Sequence, residues 1–382
     1  MLSPLYIVGV LTPIFLIWSF LSRSFKRKYR SPLGDFLFGL WGTLIIINSL
    51  LILLNSFSMS MMGNAIKYIT PVMLFFYMRH IISSRKDLHG LLQAILIGCI
   101  FPALVFVYEK LVGPIAPEYL TESRGGGARV QGAYADVMSY ATYVVGSFIT
   151  ASYFFIQKVN QGIETRRDYI LIGIVILLDI GALIAIKQVS TFIVFGTIMS
   201  IFLFYLLRNR RMTGLLLLIV PAVLLSSKFI YERNLRPLVD KEIRVIEGDA
   251  EVDRSFNGRM TRWRKYFELW GEMPGYTLVV GVAPSGFKEA PTMMGGGMHS
   301  DFVRILFFTG FGGLILYLMF LFMMFIKARW LNKHDRYLIL VTLAALMLHS
   351  VSTTPFLYAS YTFLLMIVFA YTLLPLNILH SE

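Results

Sequence analysis

Apolar runs of about 17–25 residues recur along the chain between short polar stretches, and a run of that length crosses a hydrocarbon layer as a helix. Lipid offers no partner to backbone N–H and C=O groups, so such runs must be helical. They fall at roughly 4–21, 34–54, 59–78, 89–109, 134–157, 168–186, 189–207, 212–229, 303–326, 337–353 and 357–375. The pattern predicts an all-α polytopic membrane protein with about eleven transmembrane helices, read as one integral membrane domain. That domain takes in the whole of residues 1–382.

Charge sets the sidedness of these spans. Lys and Arg cluster after alternate runs, at Arg23 to Arg30, Arg79 to Lys86, Lys158 to Arg167, Arg208 to Arg211 and Lys327 to Arg336. Cytoplasmic loops carry that excess, so these clusters mark the cytoplasmic face, with the N-terminus outside and the C-terminus inside. The first run, Leu5 to Phe20, has no basic residues before it and no small-residue cleavage site after it. It is expected to remain as a span. By elimination two segments face the other side: an outer loop at 112–133, and a large outer loop at 231–302. Long loops between packed elements usually carry function.

The large loop contains its own helical signal. Asn257 is a candidate N-cap, and Trp263, Tyr266, Phe267 and Trp270 follow at spacings of one helical face. Pro274 ends that stretch. An interfacial helix lying on the bundle is expected there. Gly275, Gly281, Pro284 and Gly286 then mark turns, MMGGGM (293–298) reads as flexible, and His299 opens the next span.

Composition narrows the classes. The chain of 382 residues is 57% hydrophobic and carries a net charge of +13. The placement of that charge between spans, not in a patch, points away from nucleic acid as a partner. A lone cysteine, Cys99, excludes a disulfide framework. No P-loop, dinucleotide fingerprint, zinc-ligand spacing or nucleophile elbow is present, and no internal repeat is visible. The candidate chemistry is a set of cations in the outer segments: Arg124, Arg129, Arg254, Arg259, Arg262 and His299. Two readings are open. Such arginines snorkel or bind lipid headgroups, or they converge on a diphosphate, whose oxygens a guanidinium fork matches in pairs. Arg304, one turn beyond His299, is a phosphate contact or a snorkelling anchor. Lys67, Asp179 and Lys187 lie within apolar runs, where charge implies an aqueous cavity or ion pairs, and Asp136 is similarly placed. His299 and Asp301 lack a third ligand for a metal.

The stretches NGRMTRW, GVAPSGF and HSDFVRILFFTGFGGLILY together resemble the pattern of the O-antigen ligase and polymerase superfamily. In that pattern a Gly-Arg with a nearby Trp opens a large periplasmic loop, a glycine-rich turn follows, and a His precedes a helix bearing G-x-x-G. The matching positions are Gly258, Arg259, Trp263, Gly281, His299, Gly310 and Gly313. ARVQGAY resembles the family's R-x-x-G segment and brings in Arg129 and Gly132. The chain departs from the pattern where the family carries Ser-Arg at the start of a mid-chain helix. Here the stretch reads Lys187-Gln188-Val189-Ser190, and Lys187 is a point cation without the fork.

The resemblance implies a GT-C-like architecture and a multi-pass protein of the bacterial inner membrane whose active site faces the periplasm. It also implies transfer of a glycan from an undecaprenyl-diphosphate carrier, without metal or cofactor and with inversion. Under that reading His299, Arg259 and Arg129 are catalytic, and Arg262, Arg124, Lys187, Arg304 and Trp263 bind substrate. The short chain and modest loop favour a polymerase of lipid-linked repeat units over a ligase acting on lipid A core. A flippase for the same lipid-linked sugars is the alternative from another class. Expected partners are the lipid-linked glycan and the bilayer, with a chain-length regulator and a flippase alongside.

Overall fold

The computed structural model describes residues 32–55, 57–113, 137–186, 188–207, 231–232, 236, 240, 243–244, 247, 259–282 and 298–375. Among these residues the structure is helical without strands. The helices are α1 (Pro32–Asn55), α2 (Met59–Ile81), α3 (Arg85–Leu111), α4 (Val137–Gln161), α5 (Arg166–Ile186) and α6 (Val189–Leu207). After them come α7 (Arg259–Gly271), α8 (Tyr276–Val280), α9 (Asp301–Ala328), α10 (Lys333–Ser352) and α11 (Ala359–Thr372), with a 3-10 turn at Pro355–Leu357 before the last.

Six of these, α1, α3, α5, α6, α9 and α10, are long and apolar enough to cross a membrane. Helices α2, α4 and α11 occupy the spans expected at 59–78, 134–157 and 357–375, but they are too polar or too short to qualify on the same terms. The expectation of about eleven spans is therefore not reached among the described residues, and the runs at 4–21 and 212–229 lie outside them. Helix α4 shows why hydropathy falls short there. It is buried on most of its circumference, and its hydroxyls bond within the protein: Thr150 Oγ1 donates to Gly146 O at 2.8 Å and Ser152 Oγ to Ile149 O at 3.1 Å.

Local signals set the helix ends. Ser84 Oγ accepts from the Asp87 N–H at 3.2 Å, while the Asp87 carboxylate accepts from the Ser83 N–H at 2.9 Å. This reciprocal cap starts α3 at Arg85, four residues before the expected boundary. Ser300 caps α9 singly: it has extended dihedrals, and its hydroxyl accepts from the Val303 N–H.

The chain packs as two compact units. One gathers the described residues of Met1–His89, Asp253–Leu331 and His349–Glu382; the other those of Gly90–Val252 and Asn332–Leu348. In the first unit α1, α2, α9 and α11 enclose an aromatic core. Phe38 packs on Phe75 and Phe320 with ring centroids 4.0 and 4.8 Å apart, and Trp41 stacks on Tyr317 at 5.1 Å. Arg79 grips Asp35 with two parallel bonds of 2.8 and 2.9 Å and reaches Ala370 O at 3.2 Å, so one end of α1, α2 and α11 is tied together.

In the second unit α4 packs on α5 and α6. Asp179, only 7% exposed, has a serine as its hydrogen-bond partner: the Ser147 hydroxyl lies 3.0 Å from its Oδ1. At Asp179, where an ion pair or aqueous cavity is expected, a buried hydroxyl lies within hydrogen-bond distance of the carboxyl. Tyr337 donates to Ser152 Oγ at 2.7 Å and Tyr153 to Asp335 at 3.0 Å.

Helix α9 breaks at Gly310, where φ is 68°. A Cβ there would lie 2.3 Å from Val279 C and O, and one at Gly281 would lie 2.2 Å from Phe308 O. Glycine at both positions lets the α8 segment press backbone to backbone on the break. The carbonyls just before it are both taken: Val282 N donates to Phe307 O at 3.0 Å and Asn48 Nδ2 to Phe308 O at 2.7 Å. The same amide donates to Val280 O at 2.9 Å. The G-x-x-G at Gly310 and Gly313 thus contains a break in the helix itself. Irregular backbone at membrane depth requires this internal pairing.

Candidate functional site

Helix α7 brings the first cations to the site. Its solvent side carries charge, as in the Arg264–Glu268 pair at 2.9 Å. Its other side carries the aromatic stripe expected from the sequence. Tyr266, Phe267 and Trp270 meet Phe307 at centroid distances of 6.2, 5.1 and 4.9 Å, and Trp270 meets Phe311 at 5.5 Å. The stripe docks α7 on α9, with Arg259 and Trp263 half-buried on the same side as Tyr266 and Trp270. Arg262, one turn from Arg259, is exposed. The proposed cap Asn257 lies outside the described residues.

His299 sits at the entrance to α9. It is exposed between two buried neighbours, Met298 at 1% and Ser300 at 2%. Its φ of 46° is in the left-handed region, which costs a side-chain-bearing residue about 1–2 kcal/mol and persists only where the surroundings impose it. The imposing contacts lie on both sides. Trp263 Nε1 donates to Met298 O at 2.6 Å. Ser300 Oγ donates to Ser350 O at 2.9 Å, Asp301 N to Thr353 O at 3.0 Å, and Phe356 N to Asp301 Oδ2 at 3.3 Å.

The electrostatics of the site favour a neutral imidazole. Partial desolvation lowers the His299 pKa below the usual 6.5, and the positive charges of Arg259, Arg262 and Arg304 lower it further. A neutral ring with one open nitrogen, close to several cations, can take a proton at neutral pH while the cations face a developing anion.

Arg304 lies one turn inside α9, only 3% exposed, with its guanidinium 5.5 Å from the centre of the Tyr68 ring. Its Nε and Nη1 have no hydrogen-bond partner among the described residues. It borders a cavity of about 20 Å³ with Trp41, Tyr68, Asp301 and Phe356. No group of three or more His, Cys, Asp or Glu side chains comes together among the described residues.

The structure therefore gathers His299, Arg259, Arg262, Trp263 and Arg304 in one unit. Arg124, Arg129, Arg254, Asp136 and Lys187 lie outside the described residues, as do Gly132 and Gly258. Tyr68, Asn48 and the Thr353–Phe356 turn were not anticipated from the sequence. Asn48 had a readable signal, a carboxamide within the apolar run IIINSLLILL, since polar groups in a membrane helix usually face a partner.

Helices of this kind define a multi-pass membrane protein. Residues 173–318 match the family model described as O-antigen ligase, which supports the resemblance to the O-antigen ligase and polymerase superfamily. The matched segment includes Lys187, Arg259, Arg262, Trp263, His299 and Arg304 and leaves Arg124 and Arg129 outside it. Members of that family are glycan-transferring enzymes, ligases or polymerases. No curated protein matches the chain.

Proposed function

We propose that this protein is a metal-independent, inverting glycosyltransferase that polymerises undecaprenyl-diphosphate-linked repeat units into O-antigen or exopolysaccharide, working at the periplasmic face of the inner membrane. The observation that carries the reading is the exposed, neutral-biased His299 among Arg259, Arg262 and Arg304. In the reaction an acceptor sugar hydroxyl gives its proton to the His299 imidazole as its oxygen attacks the anomeric carbon. The new C–O bond forms as the bond to the carrier diphosphate breaks on the opposite face, which inverts the centre. Undecaprenyl diphosphate leaves with the electron pair, and the guanidinium groups hold its charge.

Arg259 and Arg129 take the catalytic share of that stabilisation, and Arg262, Arg124, Lys187 and Arg304 bind the diphosphate and sugar. The Arg304 nitrogens without a hydrogen-bond partner among the described residues leave fork donors to offer. A chain-length regulator and a flippase are the expected neighbours in the membrane.

The test uses purified protein in proteoliposomes supplied with lipid-linked repeat units. Longer lipid-linked glycan and free undecaprenyl diphosphate are expected in equal numbers of bonds made and broken. Label crossing the bilayer with every glycosidic bond intact points to a flippase instead. Transfer only when lipid A core is added points to a ligase.

A further inference from the structure

The indole N–H of Trp263 is spent on the chain's own backbone, on the carbonyl one residue before His299. That carbonyl belongs to Met298, a buried residue, and the bond of 2.6 Å is among the shortest in the site. On the other side of His299, Ser300 and Asp301 are docked on the segment from Ser350 to Phe356 by three further hydrogen bonds. Between the two anchors lies a residue in the left-handed region that is neither glycine nor asparagine. Such a backbone relaxes unless it is held at both ends. Its side chain then leaves the chain in a direction that ordinary extended or helical dihedrals would not give.

We infer that Trp263 is a positioning residue, which aims the His299 imidazole by holding the Met298 carbonyl and does not itself touch the substrate. The inference rests on the reading of His299 as the base. It assigns α7 a purpose beyond carrying arginines. The aromatic stripe seats the helix on Phe307 and Phe311, and the indole transmits that seating to the reacting ring. Arg259, one turn before Trp263, is set by the same docking, so base and cation share one frame.

The inference separates from a substrate-stacking role for Trp263 by kinetics. A positioning residue acts on the chemical step, and misplacement of a reacting group by about 1 Å costs on the order of 100-fold in rate. A stacking residue acts on binding. Three variants of the full chain in proteoliposomes make the test: Trp263→Phe, Trp263 replaced by β-(3-benzothienyl)alanine, which keeps the bicyclic shape without the N–H, and His299→Ala. Each Trp263 replacement is also combined with His299→Ala as a double variant.

For both Trp263 replacements kcat is expected to fall about 10–100-fold, with KM within about twofold of the parent enzyme. In the His299→Ala background the same replacements are expected to lower the residual rate no further, because the aimed group is gone. A benzothienyl variant with parental kcat overturns the inference. So does a raised KM at unchanged kcat, or a loss that multiplies fully with that of His299→Ala. If His299→Ala itself keeps the parental rate, the base reading fails, and the positioning inference falls with it. If His299→Ala is inactive while Trp263→Phe is not impaired, only the positioning inference fails.

Discussion

Asn48→Leu tests the tie between α1, α8 and α9. The Asn48 amide is 2% exposed and donates both its protons to backbone carbonyls, Phe308 O at 2.7 Å and Val280 O at 2.9 Å. Leucine keeps the approximate length and removes both donors. Phe308 O lies in a buried bond, so it pays the full price of an unsatisfied acceptor, about 1–3 kcal/mol. Val280 O is partly buried and should contribute nearer the ordinary net value of about 0.5–1 kcal/mol. The sum is a loss of about 1.5–4 kcal/mol. Asn48→Asp should be worse at neutral pH, because it sets a carboxylate against two carbonyl oxygens. Unfolding of purified protein in mixed micelles by graded SDS, followed by tryptophan fluorescence, measures both variants. Polar contacts in membrane proteins average only about 0.6 kcal/mol when the unfolded state finds other partners. A total loss below about 0.5 kcal/mol would show that the break at Gly310 does not depend on this amide.

Gly310→Ala adds a Cβ 2.3 Å from the Val279 carbonyl at a φ of 68°. Left-handed strain and forced repacking together should cost about 2–5 kcal/mol in the same unfolding assay. Gly90→Ala meets nothing within 4 Å and should be neutral or slightly stabilising in helix. The pH dependence of transfer follows from the lowered His299 pKa. The basic imidazole predominates above that value and is lost as pH falls through it, so the acid limb of kcat/KM should lie below 6.5. Arg262→Gln removes one of the charges that lower it, and a pH–rate profile should show the limb moving up toward 6.5. The shift also disfavours the folded state as the medium acidifies between the ordinary and the lowered value, because the unfolded chain then binds more protons.

Much of the helical frame was legible from apolar runs, since lipid leaves a long apolar segment no other backbone structure. The aromatic stripe of α7 was legible too, because Trp263, Tyr266 and Trp270 recur at helical spacing and their partners lie on a neighbouring face. What escaped the sequence was long-range. Asn48 bonds residues 232 and 260 positions away, and no local pattern announces such a pairing. The break at Gly310 depends on the Val279 backbone lying against it, so the motif alone showed a close approach without showing to what. Helices α2 and α4 read as spans, yet they keep polar side chains because protein, not lipid, covers them. At the site, the residue types and their order marked His299, Arg259 and Arg304, while the clamp around His299 runs through main-chain carbonyls that carry no sequence signature.

Removal of the acceptor proton by His299 during transfer is the step on which the proposed function rests. The most direct measurement is a single-turnover assay of undecaprenyl diphosphate release by the parent enzyme and by His299→Ala in the same proteoliposomes, with binding of the lipid-linked substrate measured alongside. The variant is expected to bind substrate as the parent does and to release carrier diphosphate at least about 100-fold more slowly, the contribution expected of a general base. Release at the parental rate would contradict it.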